Sequence, residues 1–179
     1  MLNKIGVIGA GQMGSGIAHV CALADREVVL MDIDQGALDK AITKITGDMD
    51  RQIKRTLISE EDKAGALSRI STVTDVSGLS DCDMVIEAAT EDESVKMKIF
   101  DSLCPHLKDS AIIASNTSSI SITRLAAGTD RPHKFMGMHF MNPVPIMQLV
   151  ELIPGIETDK TTHKIIEGLT YRLGKNPVI

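Results

Sequence analysis

A glycine-rich turn near the start of the sequence has the spacing of a dinucleotide-binding site. It comprises six consecutive residues, Gly9, Ala10, Gly11, Gln12, Met13 and Gly14. Gly9 permits a tight turn, Gly11 leaves room for a pyrophosphate to approach the backbone, and Gly14 allows close packing of helix on strand. The free amides at the start of that helix would bind the phosphates. The turn therefore predicts a dinucleotide site.

An acidic residue follows the turn at the distance that a ribose contact requires. Asp32 lies at the end of the second apolar segment. Its carboxylate would bind ribose hydroxyls and repel a 2′-phosphate, and no arginine follows it in the next three residues. These residues favour NAD over NADP. A site for FAD, which uses a similar turn, and a plain tight turn beside a surface aspartate are the alternatives.

A serine-rich segment follows the apolar strand expected at 111–114. Its residues are Ser115, Asn116, Thr117, Ser118 and Ser119. Ligands of open α/β sheets bind beyond the carboxyl ends of the strands, so these side chains are expected where a nicotinamide or a substrate arrives. Asn116 is a candidate cofactor contact. The alternative is structural, with Ser118 or Ser119 capping the next helix.

His139 and Glu151 have the arrangement of a general base and its orienting partner. His139 is near the end of the strand expected at 134–140, and Glu151 lies in the strand expected at 147–153. If the two strands fold back around Pro145, residues equally distant from it face each other, which pairs this histidine with this glutamate. A carboxylate that holds an imidazole fixes its orientation and stabilises its cation. A core histidine beside an edge-strand glutamate is the alternative, and a slip of one residue would separate the pair.

The elements that position these residues alternate between short apolar segments and segments of helical period, which is typical of a parallel sheet with crossover helices. We expect strands at 4–8, 27–31, 70–73, 83–88, 111–114, 134–140 and 147–153, and helices at 13–24, 35–56, 60–67, 93–107, 120–127 and 159–173. The predicted fold is α/β, a Rossmann-type doubly wound sheet with a helical hairpin insertion and an antiparallel edge. The charged hairpin is expected to stand off the sheet, and a solvated surface excursion is its simplest interpretation.

Composition narrows the classes of function. A length of 179 residues with 43% hydrophobic residues suits one domain. The net charge of −5, scattered basic residues and 2% aromatic residues argue against a nucleic-acid partner. The three cysteines lack the spacing of a metal site, so we expect no metal and buried thiols in a reducing compartment. No apolar run approaches the roughly twenty residues that span a bilayer, and a cytoplasmic location is the simplest expectation.

Three motifs together resemble the L-3-hydroxyacyl-CoA dehydrogenases, most closely the bacterial 3-hydroxybutyryl-CoA dehydrogenases. They are GAGQMGSGIA at 9–18, SNTSS at 115–119 and MHFMNPVP at 138–145. The likeness extends over essentially the whole chain. It implies NAD as cofactor, an acyl-CoA as substrate, and interconversion of (3S)-3-hydroxyacyl-CoA and 3-oxoacyl-CoA by hydride transfer in fatty acid or butyrate metabolism.

The resemblance also implies roles for individual residues. By it, His139 is the base that takes the proton of the 3-hydroxyl, Glu151 orients it, and Ser118 binds the substrate near the reacting carbon. Positions matched to dinucleotide contacts are Glu91, Lys96 and Asn142. Lys54 and Arg55 of the hairpin are candidates for the CoA phosphates, on a looser match.

Two departures from the family pattern affect these expectations. Met141 replaces a usual phenylalanine, which changes packing only. The family also has a C-terminal helical domain that supplies a further active-site asparagine, a wall of the acyl pocket and a homodimer interface. The chain is expected to be the NAD-binding domain, 1–179, without that domain, and to turn over poorly alone. The rival functions are a gulonate-type dehydrogenase of free hydroxy acids and a non-catalytic NAD-binding module.

Overall fold

A computed structural model describes all 179 residues. Its strands and helices lie close to the positions that the apolar runs and helical periods predict. The strands are β1 (Lys4–Ile8), β2 (Glu27–Met31), β3 (Ile70–Val73), β4 (Met84–Glu87), β5 (Ile112–Ser115), β6 (Phe135–Phe140), β7 (Leu149–Pro154) and β8 (Asn176–Val178). The helices are α1 (Gln12–Leu23), α2 (Gln35–Lys54), α3 (Glu60–Ser68), α4 (Glu93–Leu103), α5 (Ile122–Ala127) and α6 (Lys160–Arg172).

All eight strands form one sheet in the order β3-β2-β1-β4-β5-β6-β7-β8. Every neighbouring pair is parallel except β6 and β7, which are antiparallel. The chain winds outward from β1 in one direction and from β4 in the other, so the order reverses between these two strands. This is the point at which doubly wound sheets bind ligands. The Rossmann-type prediction is confirmed, with β8 covering the antiparallel pair at the edge.

Both faces of the sheet are covered, which explains why the central strands are continuous apolar runs. One face and the helices on it form a core cluster of 28 buried residues that includes Ile17, Leu38 and Met138. The opposite face forms a second cluster of 16 buried residues around Phe100 and Phe135, whose rings meet edge to face. The loops at the carboxyl ends of the strands therefore extend from a rigid support.

The helical hairpin of α2 and α3 is less solvated than its charge suggests. Leu38, Ala41, Ile45 and Met49 recur along one face of α2, and all four are buried in the larger core cluster. This face packs on α1, so the hairpin is held away from the sheet but is not a free excursion. Ser59 begins α3 with a reciprocal capping box. The charged residues of α2 therefore lie on its outer face.

Several boundaries differ from the predicted ones by up to four residues, and two of these shifts have clear local reasons. The helix expected to reach residue 107 ends at Leu103 and continues as a short 3-10 turn that contains Pro105. The helix expected from residue 120 begins at Ile122, after Ser121 accepts a hydrogen bond from the Arg124 amide. No helix has the length and apolar character needed to cross a bilayer.

Candidate active site

The three glycines of the turn differ in what surrounds them, and the difference matches their predicted tasks. Gly9 has a φ of +102°, and a Cβ there would lie 2.7 Å from the Ala88 carbonyl oxygen. A Cβ on Gly14 would lie 1.6 Å from the Gly9 carbonyl oxygen, so only glycine permits this contact between turn and helix. A Cβ on Gly11 would meet no heavy atom within 4 Å. Gly11 therefore faces open space, as a pyrophosphate site requires.

Asp32 lies at the end of β2 and is bound to the turn. One carboxylate oxygen accepts a hydrogen bond from the Ala10 amide at 2.9 Å, and the other accepts from the Asp34 amide at 3.0 Å. The side chain borders an open cleft of about 480 Å³. The other polar side chains on the cleft wall are Gln12, Thr90, Glu91 and Asn116. A carboxylate, open glycine backbone and a helix N-terminus fit the ribose and phosphates of NAD.

Glu91 links the loop after β4 to the serine-rich loop after β5. Its carboxylate accepts hydrogen bonds from the Thr117 hydroxyl and, at 3.0 Å, from the Ser118 amide. Partial burial would raise the pKa of the Glu91 carboxyl, but these hydrogen bonds outweigh it and hold the pKa below its usual value. Glu91 is therefore an ionised group on the cleft wall that also fixes the loop carrying Ser118.

The serine-rich loop is not a helix cap. Ser121, and neither Ser118 nor Ser119, caps α5. Ser118 is exposed beside the cleft. Asn116 accepts a hydrogen bond from the Phe140 amide at 2.9 Å, which ties this loop to the end of β6. The capping alternative for Ser118 and Ser119 is wrong, and the side chain of Ser118 is available to a ligand.

His139 and Glu151 face each other on β6 and β7, as the fold-back around Pro145 predicted. The His139 Nδ1 and Glu151 Oε1 atoms are 3.2 Å apart. The histidine side chain is 20% exposed and the glutamate side chain 47% exposed, so the pair is open to solvent on one side. With Nδ1 held by the carboxylate, the Nε2 atom is left to exchange a proton with a ligand.

The loop between β6 and β7 joins this pair to the glycine turn. Asn142 accepts a hydrogen bond from Gln12 at 3.1 Å. A Cβ on Gly16 would lie 2.8 Å from the Val144 Cβ, which shows how closely the loop packs on α1. The buried Lys175 ammonium donates to the carbonyl oxygens of Val144 and Met147, at 2.5 and 2.7 Å. His139 and the dinucleotide turn therefore lie at the same edge of the sheet, the crevice at the carboxyl ends of the strands.

Lys96 does not lie on the cleft wall. Its side chain is 0% exposed, and its ammonium lies 2.6 Å from a carboxylate oxygen of Glu87, which is also 0% exposed. The ammonium of Lys96 is thus held behind the wall in this structure, and its direct contact with the dinucleotide stays a prediction. Glu87 was not predicted from the sequence, although a glutamate at the end of an apolar strand calls for a buried partner.

A second cavity, of about 610 Å³, lies between α2 and the β6–β7 loop. Its basic residues are Lys44, Arg51 and Arg55. Of the two hairpin residues expected to bind CoA phosphates, Arg55 lines this cavity and Lys54 does not. Lys44 and Arg51 also line the cavity but were not predicted from the sequence. Their helical spacing was the available signal, since Arg51 lies four residues before Arg55 and Lys44 lies seven residues before Arg51, and residues so spaced share one helix face. Asp48 accepts hydrogen bonds from both Lys44 and Arg51.

The three cysteines are buried and take no part in the crevice. Burial raises the pKa of the Cys21 and Cys82 thiols to about 12. The chain has no group of three or more histidine, cysteine, aspartate or glutamate side chains placed to hold a metal ion.

Comparison with known proteins gives consistent matches over the chain. Residues 4–179 match the family model described as 3-hydroxyacyl-CoA dehydrogenase, NAD binding domain. A 3-hydroxybutyryl-CoA dehydrogenase of Bradyrhizobium diazoefficiens is 54% identical over 179 residues, which are 100% of this chain and 61% of that protein. A probable 3-hydroxybutyryl-CoA dehydrogenase of Deinococcus radiodurans is 46% identical, over 98% of this chain and 63% of that protein.

The crystal structure of (S)-3-hydroxybutyryl-CoA dehydrogenase from Ralstonia eutropha superposes with a TM-score of 0.97 at 48% identity. The match covers 99% of this chain and 63% of that one. This chain thus spans somewhat less than two thirds of the length of the relatives it matches.

Proposed function

The chain belongs to the 3-hydroxyacyl-CoA dehydrogenase family as an NAD-binding domain, and from this we propose that it catalyses, together with further residues, the oxidation of a (3S)-3-hydroxyacyl-CoA to the 3-oxoacyl-CoA. The observation that carries the proposal is the His139–Glu151 pair, 3.2 Å apart, in the same crevice as the glycine turn. When bound, NAD would supply the hydride acceptor.

Each residue of the crevice has a defined part in this proposal. The turn at Gly11 and the first amides of α1 bind the pyrophosphate, and Asp32 binds the ribose hydroxyls. His139 takes the proton of the 3-hydroxyl on Nε2 in oxidation and returns it in reduction. Glu151 holds Nδ1 and stabilises the imidazolium that forms. The Ser118 hydroxyl, which belongs to the loop after β5, binds the substrate oxygen.

The basic cavity supports a CoA ester rather than a free hydroxy acid as substrate. Lys44, Arg51 and Arg55 line it on one side, and it reaches Gln12 of the turn and Gln148 beside β7. Guanidinium and ammonium groups are the usual ligands of phosphates. We assign this cavity to the phosphates of CoA, with the acyl end directed toward His139. A gulonate-type substrate has no phosphate groups for these cations to bind.

The parts of the site beyond this chain are also part of the proposal. The match covers 61% of the Bradyrhizobium relative and 63% of the Ralstonia structure. We propose that a C-terminal helical domain completes the acyl pocket and forms a homodimer, and that the enzyme works in the cytoplasm. Without that domain, the crevice that holds His139 stays open to water, and turnover by this chain alone is expected to be slow.

Cofactor binding tests the first half of the proposal. Calorimetric titration of this chain should show that NADH binds more tightly than NADPH, because Asp32 repels a 2′-phosphate. Replacement of Asp32 by Asn should reduce the preference for NADH over NADPH. NADH should still bind, but more weakly than to the unaltered chain. Equal affinities of the unaltered chain for both nucleotides would contradict the assignment of Asp32.

Activity tests the second half. A chimera of this chain with the C-terminal part of the Bradyrhizobium relative should reduce acetoacetyl-CoA with NADH. His139→Gln should lower kcat by roughly a hundredfold or more, as expected for loss of a general acid–base group. His106→Gln, at an exposed position away from the crevice, is the matched control and should leave kcat unchanged. An active His139→Gln chimera would refute the assigned base.

A further inference from the structure

Glu87 is a buried carboxylate at the end of β4 that the proposed chemistry does not use. It is 0% exposed. One oxygen accepts hydrogen bonds from the Lys96 ammonium at 2.6 Å and the Ser115 hydroxyl at 2.7 Å. The other oxygen accepts from the Ala89 amide at 2.9 Å. All three partners are donors, which is the environment that an ionised carboxylate requires inside a protein.

The three donors come from three different segments. Ala89 belongs to the loop after β4, Lys96 to the first turns of α4, and Ser115 to the end of β5. The backbone carbonyl of Glu87 also accepts the Asn116 amide at 2.8 Å. One residue thus fixes the relative positions of two loops and a helix at the point where the strand order reverses.

Each of these segments leads directly to the cleft wall. The loop after β4 lies against the turn, since a Cβ on Gly9 would come within 2.7 Å of the Ala89 Cα. The same loop carries Glu91, which holds the Ser118 amide at 3.0 Å. Asn116 follows Ser115 and borders the cleft. The residues that depend on Glu87 are therefore those on the β4–β5 side of the cleft, away from Asp32.

We propose that Glu87 is a positioning residue for the nicotinamide half of the cofactor site. It acts through the loops after β4 and β5 and makes no contact with the cofactor itself. This inference rests on the NAD site proposed above. It is specific to one half of the cofactor, because the ADP half is bound by the glycine turn and Asp32, which belong to β1, α1 and β2.

A buried ion pair is suited to this task because its geometry is demanding. Removal of one partner leaves an uncompensated charge, and an apolar replacement of the pair can restore stability without restoring directional hydrogen bonds. Three hydrogen bonds to one carboxylate hold their segments more narrowly than apolar packing does. The network is therefore expected to control the shape of the wall beyond its effect on stability.

The test compares the affinities of this chain for NADH and for ADP by calorimetry. Glu87→Gln nearly keeps the volume but presents an amide NH₂ to at least one of the three donors. We expect the dissociation constant of NADH to rise about tenfold, or about 1.4 kcal/mol, and that of ADP to change by less than roughly twofold. Ser115→Ala removes one donor and keeps the ion pair, so it should change the same ratio by about threefold.

The ratio of the NADH and ADP dissociation constants separates positioning from general destabilisation, because general destabilisation would weaken the binding of both ligands together. Arg124→Met, which breaks the exposed ion pair with Glu93, is the control and should leave both affinities unchanged. An unchanged NADH-to-ADP ratio in both Glu87→Gln and Ser115→Ala would overturn the inference and leave the NAD site standing. Failure of the unaltered chain to bind NADH would overturn the proposed function together with the inference.

Discussion

Replacing Gly11 and Gly14 by alanine should separate binding from folding within a single turn. A methyl group on Gly11 meets no heavy atom within 4 Å, whereas one on Gly14 would lie 1.6 Å from a backbone oxygen of Gly9. Gly11 is the N-cap of α1, with φ −76° and ψ −161°, a conformation that alanine adopts without strain. The same substitution, three residues apart, therefore has different physical consequences.

The magnitudes follow from these contacts. For Gly11→Ala, loss of glycine at an N-cap costs about 0.5–1 kcal/mol, and the reduced entropy of the unfolded chain offsets about 0.4–1 kcal/mol. The free energy of unfolding should therefore change little. For Gly14→Ala, a contact of 1.6 Å with backbone forces helix and turn apart. Overpacking typically costs about 1–3 kcal/mol, and we expect the upper end or more.

Thermal unfolding and calorimetric titration with NADH measure the two effects. At about 2–4 °C per kcal/mol for a chain of this size, Tm should fall by roughly 6–12 °C in Gly14→Ala and by less than about 2 °C in Gly11→Ala. NADH affinity should fall at least about tenfold in Gly11→Ala, because the methyl occupies the space of the pyrophosphate. A Gly11→Ala chain that binds NADH normally, or a Gly14→Ala chain of normal Tm, would refute the reasoning.

Three further outcomes are expected. Glu151→Gln in the chimera should lower kcat about tenfold or more with little change in KM, because His139 loses the charge that stabilises its cation; steady-state kinetics checks this. Cys21 and Cys82, with pKa values of about 12, should react with iodoacetamide at pH 8 far more slowly in the native than in the denatured chain. Glu91 has a lowered pKa, so its stabilisation is present above the unfolded-state pKa and is lost as pH falls through the folded-state value. Urea unfolding of Glu91→Gln should accordingly show a weaker loss of stability on acidification.

Local and near-local patterns predicted most of the fold. The apolar runs at 4–8 and 27–31 fix β1 and β2, and the fold-back around Pro145 fixes the register of His139 with Glu151. In each case, the deciding interaction joins segments that are close in sequence or separated by one helix. Periodicity and turn residues contain that information.

Features that depend on distant segments were not predictable in the same way. The burial of Lys96 results from its pairing with Glu87 and from the packing of α4 on the sheet. In the sequence, Lys96 is only one of several charged residues at the start of a helix, so nothing there indicates that it is buried. Lys44 and Arg51 line a cavity whose other wall is the β6–β7 loop. Their role depends on how the hairpin packs on α1, which helical periodicity alone does not specify.

The reversal of strand order between β1 and β4 has a consequence for the survival of the chain in a cell. The cleft wall combines the turn after β1 with the loops after β4 and β5, so a nucleotide bound there contacts both halves of the sheet and binds only the folded form. At a nucleotide concentration about one hundred times the dissociation constant, such linkage adds about 2.7 kcal/mol to the free energy of unfolding. Cellular nucleotide supply would then set the fraction of chains open to proteolysis, and so the abundance of the protein.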